Sequence, residues 1–210
     1  MYANLPIWEP YLQPGSHNFT NGASFASAGA AVLVETNPST LNIRIQLSYL
    51  KEVVNLLKEE LGDTEAKNIQ RMQSNCQVSE EIYEMGGRKF AFQNVGPFGC
   101  QPELKQQYNL SGKACVEELQ TIASLHNNAL SNVTRELESQ LSGFNYMNFD
   151  FFNALNDMTS HPEKYCFKVS DIACSGTGSH RGSGCGRVPA YELCSVPNEY
   201  VFFDGGHPTE

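Results

Sequence analysis

The stretch that decides the fold reads Gly86-Gly87-Arg88-Lys89-Phe90-Ala91-Phe92-Gln93-Asn94-Val95-Gly96-Pro97-Phe98-Gly99. The paired glycines predict the end of a helix. Arg88 to Val95 predicts a short strand, because aromatic and β-branched residues are enriched in strands. The turn residues at 96–99 close that strand. A helix, a strand and a tight turn in this order indicate an α/β unit.

Towards the N-terminus, an amphipathic helix is predicted to begin at Ile43. Its apolar residues recur at alternating spacings of four and three, which places them on one helix face: Ile43, Leu47, Leu50, Val54, Leu57 and Leu61. Thr40 is available as the N-cap of this helix and Gly62 as its C-cap.

Towards the C-terminus, the order of helix and strand recurs. A long helix ending near Gly143 is predicted from the apolar residues Val116, Leu119, Ala123, Leu130, Val133 and Leu137. His126 falls on this stripe and is interpreted as a core or boundary histidine rather than a ligand. Strands are predicted at 144–149 and, after the glycine-rich loop 175–186, at 200–203. The alternation favours one domain over residues 1–210, with a parallel sheet flanked by helices.

Composition excludes several classes of partner. The 210 residues carry 14 Lys+Arg against 23 Asp+Glu, a formal net charge of -9, and the basic residues are scattered. Nucleic acids and anionic membranes need concentrated positive charge, so neither is expected as a partner. No apolar run approaches the roughly 18 residues of a transmembrane helix. The first residues also lack the basic start and apolar stretch of a secretory signal.

Seven cysteines raise the question of disulfides or zinc. Five of them lie in loops rich in glycine and proline, which is typical of disulfides: Cys100, Cys115, Cys174, Cys185 and Cys194. Zinc is the alternative, but the paired Cys-x2-Cys knuckle is absent and His180 stands alone in its loop, so no metal is expected. The odd number leaves at least one thiol without an intramolecular partner.

Three N-glycosylation sequons begin at Asn18, Asn109 and Asn132. Together with the cysteines, they indicate descent from extracellular proteins that pass through the secretory pathway.

A carboxylate and an imidazole directly follow the last predicted strand, in Asp204-Gly205-Gly206-His207. In α/β sheets, sites lie beyond the carboxyl ends of strands. If Asp204 accepts the Nδ1 proton of His207, the Nε2 atom is left to take a proton from a nucleophile. A surface turn without chemistry is the alternative for such a short motif.

Four ordered motifs together resemble the plant GDSL-type esterase/lipases, over nearly the whole chain. They are the segments 21–30, 86–100, 162–168 with the cysteine loop after it, and 203–210. The resemblance implies a flavodoxin-like, three-layer SGNH hydrolase fold. It also implies cleavage of a small-molecule or lipid carboxylic ester through an acyl-serine intermediate, without a cofactor.

The site residues can be carried over motif by motif. The family's Gly-x-Asn-Phe-Ala block matches at Gly22, Phe25 and Ala26, with Ser24 replacing the asparagine, so Gly22 is expected in the oxyanion hole. The family's last block matches at Asp204 and His207, which are expected to be the catalytic acid and base.

Two blocks of the family are missing. No Gly-Asp-Ser motif, which bears the nucleophile, precedes Gly22, and no Gly-x-Asn-Asp motif lies between the first helix and Gly86; residues 67–80 run through without it, with Cys76 at the apparent junction. The family's closing helix after the last block is also absent. We therefore expect a truncated fold and an incomplete product. Ser24 and Ser27 are the nearest hydroxyls to the oxyanion segment, but neither has a nucleophile elbow, so no nucleophile is identified.

Two departures concern cysteine. Cys166 stands where the family usually has glycine, and Ser175 stands where it has the second of two adjacent cysteines.

Two functions remain open at this point. The first is a GDSL-type carboxylic ester hydrolase that is catalytically incomplete in these 210 residues. The second is a non-catalytic binding or accessory protein on a degenerate hydrolase fold.

Overall fold

A computed structural model describes residues 8–15, 18–30, 34–62, 71–72, 76–187 and 190–209. The chain divides into two compact units, Met1–Ala91 with Leu137–Tyr146 and Phe92–Glu136 with Met147–Glu210. Each unit has buried apolar residues of its own. The assignment of residues 1–210 to one domain stays a prediction.

The described residues contain five α-helices. They are α1 (Ile43–Leu61), α2 (Cys76–Glu84), α3 (Pro102–Gln107), α4 (Glu117–Gln140) and α5 (Phe151–Ser160). Short 3-10 turns lie at Phe19–Asn21, Val34–Thr36, Phe98–Cys100, Pro162–Tyr165 and Pro197–Glu199. The predicted helices before Gly62, Gly86 and Gly143 are thus confirmed. Within the described residues, every helix is too short or too polar to cross a lipid bilayer.

Helix α1 is capped differently from the prediction. The side chain of Asn42, not Thr40, accepts hydrogen bonds from the backbone N–H groups of Arg44 and Ile45. Thr40 instead donates its hydroxyl proton to the carbonyl of Asn37. The prediction of Thr40 as N-cap was wrong because an asparagine nearer the first helical turn satisfies the same free N–H groups. Gly62 is the C-cap, as predicted.

The strands form three small sheets in the described part of the chain. They are β1 (Glu9–Pro10), β2 (Ala23–Ser24), β3 (Arg71–Met72), β4 (Lys89–Gln93), β5 (Asn145–Phe149), β6 (Ser175–Gly176) and β7 (Glu192–Leu193). Strand β1 pairs with β2 in parallel, and β6 pairs with β7 in antiparallel orientation. The third sheet has the order β3-β4-β5.

The three-stranded sheet is the remnant of the parallel sheet expected for the fold. Strand β3 pairs with β4 in parallel, Arg71 opposite Lys89 and Met72 opposite Phe90. Strand β5 runs in the same direction as β4: Asn145 N–H donates to the carbonyl of Arg88 at the start of the pair. The fold is α/β with a parallel sheet, as expected for a truncated flavodoxin-like SGNH hydrolase fold, and its edge strand β3 has two described residues in the region where the Gly-x-Asn-Asp block is missing.

In the first unit, the core forms where α1 and α2 turn their apolar faces inwards. Its buried residues include Leu47, Leu50, Val53, Val54, Leu57, Val78, Ile82, Phe90, Leu137 and Phe144. The rings of Phe90 and Phe144 stack with centroids 4.3 Å apart. Tyr11, Phe19 and Phe25 pack against Val53 and Leu57, so the segment that contains Gly22 is held against α1 by aromatic contacts.

In the second unit, Leu155, Ala173, Val201 and Phe202 form a fully buried cluster. Phe151, Met158 and Phe167 pack against this cluster. Val201 and Phe202 lie two to three residues before Asp204, so the segment that leads to Asp204 and His207 is anchored in the core. Elsewhere in this unit Met147 and Phe149, in the edge strand β5, are 64% and 51% exposed.

The segment at 200–203, predicted as a last strand, forms only isolated bridges. Tyr200 pairs in parallel with Val169, and Phe202 pairs with Pro208 in antiparallel orientation. The prediction of a strand in the main sheet was wrong because the chain turns back on itself after Phe203: Thr209 N–H donates to the carbonyl of Val201.

His126 lies on the exposed side of α4, so its interpretation as a core or boundary histidine was wrong. The adjacent Asn127 takes the inward position instead. Its amide accepts from the N–H of Val95 and donates to the carbonyl of Val95, both at 2.9 Å. These two bonds satisfy the N–H and carbonyl groups of Val95, just beyond the end of β4. Hydrophobic periodicity does not reveal that these backbone groups need a partner.

The disulfide prediction is confirmed for two pairs, Cys100–Cys115 and Cys174–Cys194. Cys185, predicted with them, is a free thiol, and so is the exposed Cys166. The Sγ atom of Cys185 donates to the Oγ atom of Ser175 at 2.9 Å. The side chain of Cys76 lies outside what the structure describes.

We expect Ser175→Cys to form a third disulfide, with Cys185. Thr177 and Ser183 are paired in antiparallel orientation, so Ser175 and Cys185 lie opposite each other in the same register. Opposed residues of this kind have Cα atoms about 4.5–5.5 Å apart, within the range that disulfides span. Loss of one reactive thiol, counted by alkylation under denaturing conditions, would show the bond. Two remaining reactive thiols at these positions would contradict it.

Candidate active site

Asp204 and His207, the expected acid and base, lie on a tight loop that closes on itself. Phe203 N–H donates to the carbonyl of His207 at 2.8 Å, and Phe202 bridges to Pro208. Between these contacts the chain turns through Asp204, which lies two residues after the buried Phe202. The loop is therefore a short projection from the core of the second unit.

Backbone contacts with Gly205 hold this loop in place. Glu103 N–H donates to the carbonyl of Gly205 at 3.0 Å. A Cβ atom on Gly205 would lie only 2.1 Å from the carbonyl oxygen of Gly182. Glycine is required here because two backbone segments meet without room for a methyl group. Gln101 adds a longer contact, from its Nε2 to the carbonyl of Gly206 at 3.3 Å.

We expect Gly205→Ala to lower the free energy of unfolding by about 1–3 kcal/mol, the usual cost of forcing extra volume into a packed site. Gly206→Ala is the matched control: no atom lies within 4 Å of its Cβ position, and we expect a change below about 0.5 kcal/mol. Chemical denaturation of both variants measures the difference. Equal stability of the two variants would show that the contact with Gly182 does not constrain the loop.

Asp204 and His207 are brought together as predicted. The Nδ1 atom of His207 lies 2.8 Å and 3.0 Å from the two carboxylate oxygens of Asp204. The Oδ1 atom of Asp204 also accepts the backbone N–H groups of Gly206, at 2.9 Å, and His207, at 2.8 Å. The carboxylate thus both closes the turn and orients the ring, so the two side chains form one hydrogen-bonded unit.

The turn keeps Asp204 ionised. Burial alone would raise the pKa of this carboxyl, but the hydrogen bonds from the Gly206 and His207 N–H groups and from the imidazole outweigh burial. The pKa of Asp204 is therefore below its ordinary value. A carboxylate with a depressed pKa stabilises the folded loop above about pH 4, and this stabilisation is lost as the pH falls through the pKa of the folded state.

The exposure of the pair defines what it can do. The side chain of Asp204 is 25% exposed and that of His207 is 82% exposed. With Nδ1 bound to the carboxylate, Nε2 is the ring nitrogen left to exchange a proton with a second molecule or segment. A general base with its orienting acid requires a contact of this kind, and the imidazole is open to solvent.

A second carboxylate and imidazole contact shows what distinguishes this pair. Nδ1 of His161 lies 2.9 Å from Oδ1 of Asp157, but the other oxygen of Asp157 accepts from both Lys164 and Tyr165. These donors lower the pKa of Asp157, Lys164 most of all. Asp157 joins the end of α5 to the following turn, and no glycine loop presents His161. We therefore assign it a structural role.

Gly22 belongs to the first unit. Its φ of 105° is strained for any residue with a Cβ atom, and a Cβ there would lie 3.3 Å from the indole ring of Trp8. Its N–H donates to the carbonyl of Phe19 at 3.0 Å. Of the two serines considered as nucleophiles, Ser27 accepts the N–H of Leu41 through its hydroxyl oxygen, and Ser24 lies in β2.

His180, the histidine considered as a zinc ligand, is buried. Its backbone N–H donates to Gln106, and its Nδ1 lies 3.2 Å from the hydroxyl oxygen of Ser179. Burial, with the nearby charge of Lys105, lowers its pKa. In the parts of the chain that the structure describes, no three His, Cys, Asp or Glu side chains are grouped to hold a metal.

Sequence reasoning missed one polar pair at the carboxyl edge of the sheet. Asn94 follows β4, and Asp150 follows β5. The amide of Asn94 donates to Asp150 at 2.9 Å and accepts the N–H of Phe152 at 2.9 Å. The hydrogen bond from Asn94 lowers the pKa of Asp150, with burial opposing it. The available signal was their position, since each is the first residue after a strand.

Comparison with known proteins points to a single family. Residues 48–210 match the family model described as GDSL-like Lipase/Acylhydrolase. GDSL esterase/lipase 5 of Arabidopsis thaliana is 35% identical over 249 residues, covering 100% of this chain and 65% of the relative. GDSL lipase of Tanacetum cinerariifolium is 33% identical over 240 residues, with coverages of 100% and 65%.

A third relative is named as inactive. Inactive GDSL esterase/lipase-like protein 25 of Arabidopsis thaliana is 33% identical over 236 residues, covering 100% of this chain and 55% of the relative. This chain thus spans about two thirds or less of the length of these relatives. Each alignment is also longer than the 210 residues of the chain, so the relatives carry internal residues that it lacks.

Proposed function

This chain belongs to the GDSL-like lipase/acylhydrolase family, and from that premise we propose that it carries the acid and base of a carboxylic ester hydrolase whose nucleophile block is not among its 210 residues. The observation that carries the proposal is the hydrogen bond between Nδ1 of His207 and Asp204, at 2.8 Å. A small-molecule or lipid ester is the substrate class, and no cofactor takes part.

In the proposed reaction, Nε2 of His207 takes the proton of an attacking hydroxyl, and the ester carbonyl carbon becomes tetrahedral. Asp204 stabilises the imidazolium that forms and holds its Nδ1 proton, as a fixed carboxylate does in serine hydrolases. His207 then returns the proton to the leaving alcohol. Gly22 is proposed to stabilise the oxyanion through its backbone N–H, which must first leave the carbonyl of Phe19.

Without a serine block, the pair can only activate water. We therefore expect the chain as it stands to hydrolyse p-nitrophenyl acetate slowly, and His207→Ala to reduce that rate to the rate in buffer. The same assay tests the proposal, because a chain whose rate is unchanged by His207→Ala does not use this imidazole.

A second candidate function is supported by the relative named as inactive. Here the fold serves as a binding or accessory protein and the Asp204 and His207 pair stabilises the loop only. This function predicts equal rates for the chain and for His207→Ala in the same assay. It also predicts that His207→Ala lowers the stability of the chain and changes nothing else.

For localisation, we infer that the protein is extracellular. Two disulfides in the second unit favour an oxidising compartment. Of the three sequons, Asn18 is exposed, and Thr20 donates both its N–H and its hydroxyl proton to the Asn18 side chain, at 3.0 Å and 2.5 Å. Asn132 instead lies inside α4, and Thr134 of its sequon is fully buried.

We expect glycans on Asn18 and on Asn109, which is exposed with a φ of 53° after α3, but not on Asn132. After expression in a secretory system, Asn18→Gln and Asn109→Gln should each remove one step of the mobility shift that an endoglycosidase reverses. Asn132→Gln is the control and should leave the mobility unchanged. A shift that only Asn132→Gln removes would contradict the assignment.

A further inference from the structure

A polar groove of about 370 Å³ lies in the second unit, at the carboxyl ends of β4 and β5. One wall is a single face of α4, which presents Ser124, Asn127, Asn128 and Ser131 at helical spacing. The other wall contains Asn148 and the start of α5. The groove is open and its lining is mostly polar, unlike the enclosed apolar sites that hold most drug-sized ligands.

The floor of the groove is rigid. Asn94 is bonded to Asp150 and to the N–H of Phe152, and Asn127 is bonded to both backbone groups of Val95. Asn153 adds two donors to Asp150, from its N–H at 3.2 Å and its side chain at 2.6 Å. Each floor side chain is therefore held in one orientation before any ligand arrives, which reduces the entropy lost on binding.

The rim of the groove is polar and open. Among the described residues, Ser124, Asn128 and Asn148 have no side-chain hydrogen-bond partner. An amide offers two donors and an acceptor that accepts twice, and a hydroxyl both donates and accepts. These groups match a ligand whose own groups both donate and accept, as the hydroxyls of a sugar do.

Charge and polarity narrow the ligand further. Among the described residues that line the groove, Asp150 is the only ionisable one and none is Lys or Arg, so the groove offers an anion no positive charge. The lining is too polar for an acyl chain, which would leave amides unpaired. Phe152 is the one aromatic residue of the described lining. An aromatic surface next to neutral hydrogen-bonding groups suits a pyranose, which has both an apolar face and a ring of hydroxyls.

We propose that this groove binds a neutral saccharide. The site is distinct in chemistry from the Asp204 and His207 pair and does not require catalysis. Asn128 and Asn148 contact the sugar hydroxyls from opposite walls, and Phe152 packs against the sugar ring.

The test is an NMR titration of the ¹⁵N-labelled chain with cellobiose, maltose and xylobiose. Side-chain amide signals, identified by their loss in Asn128→Ala and Asn148→Ala, should shift saturably with at least one sugar. The amide signal of Asn198, exposed and outside the groove, should not move. Parallel titrations with sodium acetate and 1-butanol test for an anionic and an apolar ligand. Saturable shifts with either of these, and none with the sugars, would overturn the proposal.

Variants make the test decisive. Both rim side chains are exposed, so the double variant Asn128→Ala with Asn148→Ala should keep the backbone spectrum and weaken the sugar about tenfold or more, the effect of losing two hydrogen bonds. Ser124→Arg, which fills the groove from an exposed helix position, should also abolish binding, and Asn198→Ala should not change it. Undiminished binding in both groove variants, or no saturable shift with any of the three sugars, would refute the site.

Discussion

Replacing His207 with alanine is expected to lower ester hydrolysis by about 10⁴-fold or more, once the chain has been completed with the Gly-Asp-Ser and Gly-x-Asn-Asp segments of a relative. The reason is geometric: Nδ1 of His207 is held 2.8 Å from Asp204, so Nε2 is the one ring nitrogen free to take the serine proton. Without that base, the added hydroxyl stays protonated and attacks the ester poorly.

The assay is the steady-state hydrolysis of p-nitrophenyl butyrate by the completed chain. His161→Ala is the matched control, because His161 also contacts a carboxylate, at 2.9 Å, but serves the end of α5. The control should retain the activity of the completed chain. Comparable losses in the two variants would show that the effect is one of folding rather than of proton transfer.

Replacing Asp204 with asparagine should lower the turnover number of the completed chain by about 10³–10⁴-fold, with little change in KM. Asparagine can still accept the N–H groups of Gly206 and His207 through its Oδ1 atom, so the turn is kept. The negative charge opposite the imidazolium is lost, and the amide now favours the wrong tautomer of the ring.

The tautomer provides a readout that a structural role would not move. In ¹⁵N spectra of the imidazole, His207 should carry its proton on Nδ1 in the parent chain and shift towards Nε2 in Asp204→Asn. Asp157→Asn removes the carboxylate from the other Asp and His contact and should leave both the turnover and the His207 spectrum unchanged. A normal rate in Asp204→Asn would remove this carboxylate from the mechanism.

The elements that hydrophobic periodicity specifies could be predicted from the sequence. The four and three spacing from Ile43 to Leu61 predicted α1, and the stripe through Ala123 and Leu137 predicted α4. The contact between Asp204 and His207 could be predicted because only two glycines separate them, so a tight turn brings the two side chains together. In each case the signal is local, so a single sequence contains it.

Contacts between distant segments could not be predicted in this way. His126 and Asn127 are neighbours on α4, and only the unpaired backbone of Val95 decides that Asn127 faces inwards. Cys185 remains free because its partner position, ten residues earlier, is a serine. The segment after Tyr200 has the composition of a strand, but it bonds on one side to residues 169–175 and on the other to its own return segment, where Thr209 N–H donates to the carbonyl of Val201.

We propose above that this chain holds an acid and a base that lack their nucleophile. Labelling with a fluorophosphonate is the most direct test, because the reagent reacts only with an activated hydroxyl. The chain as it stands should remain unlabelled, the chain completed with the Gly-Asp-Ser and Gly-x-Asn-Asp segments should be labelled at the added serine, and His207→Ala in the completed chain should prevent labelling. Labelling of the uncompleted chain, or equal labelling with and without His207, would contradict the account.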